Sequence, residues 1–194
     1  MRGADRWAIS DLMHRYARSV DRRDWDGVRG CYHPDAIDDH GGYRGDREGL
    51  IAWMVERHAR IVLSMHFLTN VLVEFTEPDS AVVETYSITV QRTPAADAVQ
   101  SLRMYSIPGL DRVSADSTVE TRVRCRFVDV VTRRGGDWRV WRRTVVYESM
   151  DYTVLTPTDF GPSFATGSRT GTDPLWRIRA ESSSRLGTRN QVIP

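Results

Sequence analysis

The sequence contains no lysine; all 27 of its basic residues are arginine. Without a lysine amine, Schiff-base chemistry and a Walker-type phosphate loop are excluded. Cysteine is nearly as scarce. Cys31 and Cys125 are the only two, with neither CxxC nor metal-ligand spacing. That excludes a disulfide framework and leaves two buried thiols in a reducing compartment as the simple expectation, with a single bridge between them as the alternative. No run approaches the ~18 apolar residues of a membrane span. The first six residues lead into an amphipathic segment, not an apolar signal core, so a soluble, cytoplasmic protein is expected. An excess of charge is missing too. The 27 basic residues meet 26 acidic ones, a net charge of +1, which is too neutral a field to predict a nucleic-acid or membrane partner.

The 194 residues, 40% of them hydrophobic, have the length of one domain and need neither metal nor disulfide to bury a core. Trp7, Ile9, Leu12, Met13, Tyr16, Ala17 and Val20 recur at three- and four-residue steps, which predicts an amphipathic helix over residues 4–20. Asp21-Arg22-Arg23-Asp24 breaks it, and Trp25, Val28 and Cys31 share one side of a short second helix. His33-Pro34-Asp35 reads as a turn, because the residue before proline is pushed out of the helical region. Residues 36–39 read as a brief strand and 40–43 as a loop. Asp46 caps a third helix carrying Leu50, Ile51, Trp53, Met54 and Ile61.

After Ser64 the period falls to two, which predicts strands over 65–75, 81–91, 117–132 and 138–148. Gly135-Gly136 turns the last pair, and residues 100–107 read as a further short or irregular strand. Helices followed by antiparallel strands give an α+β fold, with the sheet curled around the helices. Residues 1–150 form this domain. Residues 151–194 are rich in Ser, Thr, Gly, Pro and Arg, with one apolar island at Leu175-Trp176-Arg177-Ile178. They read as an arm packed on the domain or on a neighbouring subunit.

Chemistry is sought where polar residues interrupt apolar faces. Along 65–75, His66, Leu68, Asn70 and Leu72 share one face, and Met65, Phe67, Thr69, Val71 and Val73 the other. Both faces are largely apolar, which predicts a strand buried on both sides, with His66 and Asn70 facing an enclosed space. His66 is then either a core histidine satisfied by a backbone carbonyl or a functional one. On the last strand Arg139, Trp141, Arg143, Val145 and Tyr147 share a face. An arginine between apolar neighbours must find an anion or a ring of acceptors. Arg122, Arg124 and Arg126 pose no such problem, because they alternate cleanly with Val123, Cys125 and Phe127. Asp21 follows Tyr16 by five residues, so the two converge only if Asp21 lies at or beyond the helix end, where the dipole disfavours a carboxylate. A surface pairing with Arg22 or Arg23 is the alternative. His33 and His40 flank Asp35, Asp38 and Asp39. The turn at 33–36 is the better reading of this cluster, so no metal is expected, and Asp39 and His40 edge a pocket mouth.

Several stretches together resemble the SnoaL-like branch of the nuclear transport factor 2 superfamily over residues 5–150. They are Tyr16-Ala17-Arg18-Ser19-Val20-Asp21-Arg22-Arg23-Asp24-Trp25, Tyr32-His33-Pro34-Asp35-Ala36, Met65-His66-Phe67-Leu68-Thr69-Asn70 and Gly136-Asp137-Trp138-Arg139-Val140. That branch includes scytalone dehydratase, bile acid 7α-dehydratase, hexachlorocyclohexane dehydrochlorinase and polyketide cyclases. The resemblance implies a cone-shaped α+β barrel with a deep pocket, a homotrimer or homodimer, and an Asp–His dyad at Asp21 and His66. It implies a polar helix residue at Tyr16 and the dehydrochlorinase arginine at Arg143. The second histidine of the scytalone dehydratase-like enzymes is Gln91 here, and the tyrosine they place after the second helix falls near Asp39, with Tyr43 close by. A single-base site fits better than a two-histidine one.

The resulting expectation is a cofactor-independent lyase of the dehydratase type. His66 acts as general base, oriented by Asp21; histidine ordinarily titrates near ~6.5, which suits that role at neutral pH. Tyr16 hydrogen-bonds a substrate oxygen, Arg143 stabilises the developing enolate or the departing hydroxide, and Asn70 orients the substrate. Trp53, Met54, Phe67, Leu68, Phe127 and Trp141 suggest a hydrophobic, polycyclic or polyketide-like small molecule, with Asp39, Tyr43 and Gln91 completing the binding site. An isomerase or cyclase using the same base is the nearest alternative. A non-catalytic ligand-binding protein or a dioxygenase small-subunit-like scaffold is the alternative from another class.

Overall fold

The computed structural model describes residues 2–102, 105, 109, 113–156 and 159–189. Its elements, in chain order, are α1 (Arg2–Asp21), α2 (Trp25–Cys31), β1 (Tyr32–Asp39), β2 (Arg44–Asp46), α3 (Arg47–His58), β3 (Leu63–Glu77), β4 (Ser80–Pro94), α4 (Ala95–Ser101), β5 (Thr118–Arg134), β6 (Asp137–Leu155) and α5 (Pro174–Arg189). They fall into two compact units, Met1–Pro157 and Thr158–Pro194. Among the described residues no helix is long and apolar enough to cross a membrane.

The first unit is the expected α+β fold. Its six strands form one curved sheet in the order β2-β1-β6-β5-β4-β3, antiparallel throughout except where β1 runs parallel to β6. Ile9, Leu12, Met13, Tyr16 and Val20 form the buried stripe of α1, and they join Leu50 and Met54 of α3 and the inner face of the sheet in one core. The helix ends because Arg23 takes left-handed backbone at φ 53°, and the Asp24 amide turns back onto the Ser19 carbonyl at 2.8 Å. The Arg23 guanidinium donates to the carbonyls of His58 (2.6 Å) and Ile61 (2.9 Å), which ties this turn to the α3–β3 connection. Asp24 then caps α2 through the Gly27 amide, and Asp46 caps α3 through the Gly49 amide.

Bulges explain where simple alternation goes astray. In β3 the register slips between Leu68 and Val71, so one extra residue reverses the phase. Leu68, Val71, Val73 and Phe75 face the core, while Asn70 and Leu72 turn outward. Nor is β3 buried on both sides: Met65 and Phe67 are 45% and 47% exposed on the outer face, Phe67 directly opposite Ile88 of β4. In β6 the extra residues are Trp141 and Glu148. The inward set is therefore Trp138, Val140, Arg143, Val145 and Tyr147, and Arg139 and Trp141 leave it. Trp141 lies instead against the guanidinium groups of Arg134 and Arg142.

Other boundaries shift for local reasons. Pro34 lies within β1, at a slip in its pairing with β6, where a missing N–H is tolerated. Helix α3 stops at His58, short of the buried Ile61. Residues 95–101 form α4, not a strand, and residues 103, 104, 106 and 107 of the expected irregular strand lie outside the described residues. Strand β6 continues five residues past the expected domain limit at 150. There Asp151 pairs with Arg122 (2.8 Å) and Arg124 (2.6 Å) on β5, a polar ladder without apolar alternation to announce it. In the second unit the apolar island lies in α5, where Asp173 accepts from the Leu175 amide at 3.0 Å and Pro174 takes the first helical position.

Deep in the first unit, Arg143 of β6 and Asp129 of β5 face each other across the ladder and join through two parallel bonds of 2.7 Å. Neither side chain reaches solvent. Burial opposes both charges, and the Asp129 carboxylate holds the guanidinium protonated. The Arg143 guanidinium also packs on the rings of Tyr16 (4.1 Å) and Phe127 (4.4 Å). Removing one partner strands the other in the core. Urea unfolding of Asp129→Ala should therefore show a loss of about 3–5 kcal/mol, whereas a loss under about 1 kcal/mol, the usual range for a surface pair, would contradict a buried, mutually dependent pair.

Candidate active site

Asp21 is the last residue of α1, and its side chain is clasped by β3. One carboxylate oxygen accepts the Ser64 hydroxyl (2.8 Å) and meets His66 Nδ1 (2.7 Å), and the other accepts the His66 amide (2.9 Å). Burial alone would raise this carboxyl, but the charge and hydrogen bonds of His66, with Ser64, outweigh it and hold Asp21 below the usual carboxylate range. The bond from Nδ1 sets the imidazole tautomer and leaves Nε2 without a protein partner among the described residues. Behind the pair runs a polar chain: Arg57 donates to Gln91 Oε1 (2.9 Å), Gln91 Nε2 to Ser64 Oγ (3.4 Å), and Ser64 to Asp21.

A second imidazole–carboxylate pair stands at the end of β1. His40 Nδ1 lies 2.9 Å from Asp38 Oδ1, and Asp38 Oδ2 accepts the Tyr32 hydroxyl at 2.8 Å. Tyr32 Oη in turn accepts from Arg143 Nη1 at 3.1 Å. Burial would raise Asp38 as well, yet His40, Arg143 and Tyr32 together keep it below the usual range.

Both histidines line one narrow cavity of about 40 Å³. Its apolar wall is Val20, Trp53, Met54, Val123, Phe127 and Val145; its polar wall includes Tyr16, Arg57, Thr89, Gln91, Tyr105 and Tyr147. Burial pushes the Tyr16 phenol up, so it stays protonated and serves as a donor, not a base. The Cys125 thiol, pushed up to about 11 by burial, is likewise protonated at neutral pH.

Of the residues singled out from sequence, the structure brings Asp21, His66, Tyr16, Trp53, Gln91 and Phe127 to this cavity, Asp21 through its imidazole partner. It withholds others. Arg143 is enclosed behind Tyr16 and Phe127, neutralised by Asp129, and does not open on the cavity. Continuing the alternation Val123, Cys125, Phe127 by two residues reaches Asp129, the signal for this pairing that the sequence contained. The β3 bulge turns Asn70 away, the β6 bulge removes Trp141, and Phe67 lines an outer groove with His14, Ala17 and Arg18. Asp39 turns to the Gly41 amide and Arg44. Tyr43 stacks on Trp53 from outside the cavity, with its hydroxyl on the Asp46 carbonyl. The histidine–aspartate cluster on β1 disperses: His33 meets the Thr132 carbonyl and Asp35 pairs with Arg134. Sequence reasoning missed Asp38, Ser64, Arg57 and Tyr147 as site residues and placed His40 only at the mouth. The two-residue spacing of Asp38 and His40, one face of a strand, was the available clue.

Because Asp21 titrates lower folded than unfolded, its contribution to stability is present above about pH 4, the ordinary carboxylate value, and is lost as pH falls through the lower folded value. Asp21→Asn should therefore be less stable than wild type at neutral pH, with the gap narrowing as pH drops below about 4. Thermal unfolding against pH reads this, and a gap that widens in acid would contradict the clasp.

Comparison with solved structures finds the same fold in several proteins. The chain superposes on hexachlorocyclohexane dehydrochlorinase LinA-type3 from Novosphingobium barchaimii with TM-score 0.61, at 19% identity, covering 83% of this chain and 97% of that one. A candidate scytalone dehydratase from Novosphingobium aromaticivorans gives 0.61 at 14% identity, over 77% and 88%. The Kfla4162 protein from Kribbella flavida gives 0.62 at 16%, over 78% and 95%. No curated protein matches the sequence. Residues 1–144 match the SnoaL-like domain, and the chain accordingly belongs to the SnoaL-like family.

Proposed function

We propose that the protein is a cofactor-independent lyase that removes water from a hydrophobic hydroxy-carbonyl compound. The observation that carries this is the 2.7 Å contact of His66 Nδ1 with Asp21, which leaves Nε2 of this cavity-lining residue without a protein partner among the described residues. His66 Nε2 takes a proton from the carbon beside the carbonyl, and Asp21 holds the tautomer and stabilises the imidazolium that forms. Tyr16, a protonated phenol on the cavity wall, donates to the enolate oxygen. Arg143 takes no direct part: paired with Asp129 behind the Tyr16 ring, it packs that ring in place. Trp53, Met54, Val123, Phe127 and Val145 give the cavity an apolar wall that suits a hydrophobic substrate. The dehydratase and dehydrochlorinase among the structures sharing this fold are compatible with such chemistry.

A deuterium-exchange experiment separates proton abstraction from departure of the leaving group. Wild type is incubated in deuterium oxide with β-hydroxy-β-aryl ketones, and mass spectrometry reads both deuterium entering the acidic carbon and loss of water. His66→Gln should lower both by ~10²–10⁴-fold while the protein stays folded by circular dichroism. Asp21→Asn should slow turnover with little change in KM. A His66→Gln variant that turns over at the wild-type rate would sink the proposal.

A further inference from the structure

The cavity holds a second imidazole whose Nδ1 is bound by a carboxylate, and the two ends differ in charge. At the His66 end stands one carboxylate, Asp21, which already accepts a hydroxyl and an amide. At the His40 end stand two buried carboxylates, Asp38 and Asp129, against a single buried guanidinium, Arg143, linked through Tyr32. His40 Nδ1 meets the Asp38 carboxylate of this cluster at 2.9 Å. Trp53 of α3 faces the ring at 5.6 Å with Arg57 5.9 Å from the same indole, Tyr147 of β6 donates to the His40 carbonyl at 3.0 Å, and the Tyr43 carbonyl accepts the His40 amide at 2.7 Å. His40 Nε2, like that of His66, has no protein partner among the described residues.

Resting on the His66 reading, we propose that His40 is the proton donor to the leaving group, with Asp38 as its positioning residue, so that the site is a two-imidazole acid–base pair. His66 Nε2 takes the proton from the carbon, and the C–H electron pair becomes the enolate. As the enolate collapses to the carbon–carbon double bond, the C–O bond breaks toward oxygen. That oxygen takes the proton from His40 Nε2 and leaves as water. His66 ends protonated and His40 neutral, and exchange with solvent restores both. The substrate class narrows accordingly to compounds with a poor, oxygen-based leaving group β to a carbonyl, for which an acid is needed.

Two ketones with the same β-aryl skeleton test this, one carrying a hydroxyl and the other an acetoxy group, which departs without a proton. His40→Gln should keep deuterium entry into the acidic carbon near the wild-type rate, lose elimination of water by ~10²-fold, and recover most of its rate on the acetoxy compound. His66→Gln should lose all three. Equal losses by His40→Gln on both leaving groups, or no loss on either, overturn the donor role while leaving the base reading intact. Absence of deuterium entry in wild type overturns the His66 reading and this proposal with it. A substrate-free measurement stands beside these. Nitrogen-15 imidazole spectra should show a proton on His40 Nδ1 in wild type and its redistribution in Asp38→Asn. A bare Nδ1 on His40 in wild type would overturn the pairing on which the proposal is built.

Discussion

Everything around the cavity depends on one carboxylate at an unfavourable place. Asp21 ends α1, where the helix dipole disfavours negative charge. Strand β3 offsets this, with a hydroxyl, an amide and an imidazole converging on the two oxygens. The same three contacts dock α1 on the sheet edge, fix the ring of His66 and draw the Arg57–Gln91–Ser64 chain up behind it. A cost borne by the helix is thereby turned into alignment of a base. This is the sense in which a locally unfavourable residue marks a functional place.

The inner face of the sheet shows the same trade on a larger scale. On β4 the buried residues include Thr85, Ser87, Thr89, Gln91 and Thr93, while Tyr86 and Ile88 are exposed, the reverse of what burial of apolar area alone would select. Polar groups buried in this way need partners, and part of what they border is the cavity itself, which Thr89 and Gln91 line. Arg143 and Asp129 belong to this pattern. Their fork-to-fork pairing satisfies both charges inside the protein, and through Tyr32 it reaches Asp38 and His40. The arginine is part of the site's electrostatic background, one residue removed from the space a ligand would fill.

Much of the architecture was legible in local patterns. Helical periodicity over α1, the Asp46 cap, the period-two runs and the Gly135-Gly136 turn specify the α+β order, because those signals lie between residues near in the chain. The pairing of Asp21 with His66 was implied only by the family resemblance that the motifs around Tyr16–Trp25 and Met65–Asn70 carry. Tertiary structure decided what local patterns cannot carry. A single extra residue in β3, and two in β6, reversed which side chains face inward, and that alone moved Asn70 and Trp141 out of the site. Whether Arg143 meets a ligand or a protein carboxylate depended on Asp129, fourteen residues away and directly across the ladder. The second imidazole entered the site because β1 pairs in parallel with β6 and brings Asp38 beside Arg143. Register and cross-strand partnership are set by which strands close on one another and where they bulge, and the pattern of one strand alone does not fix them.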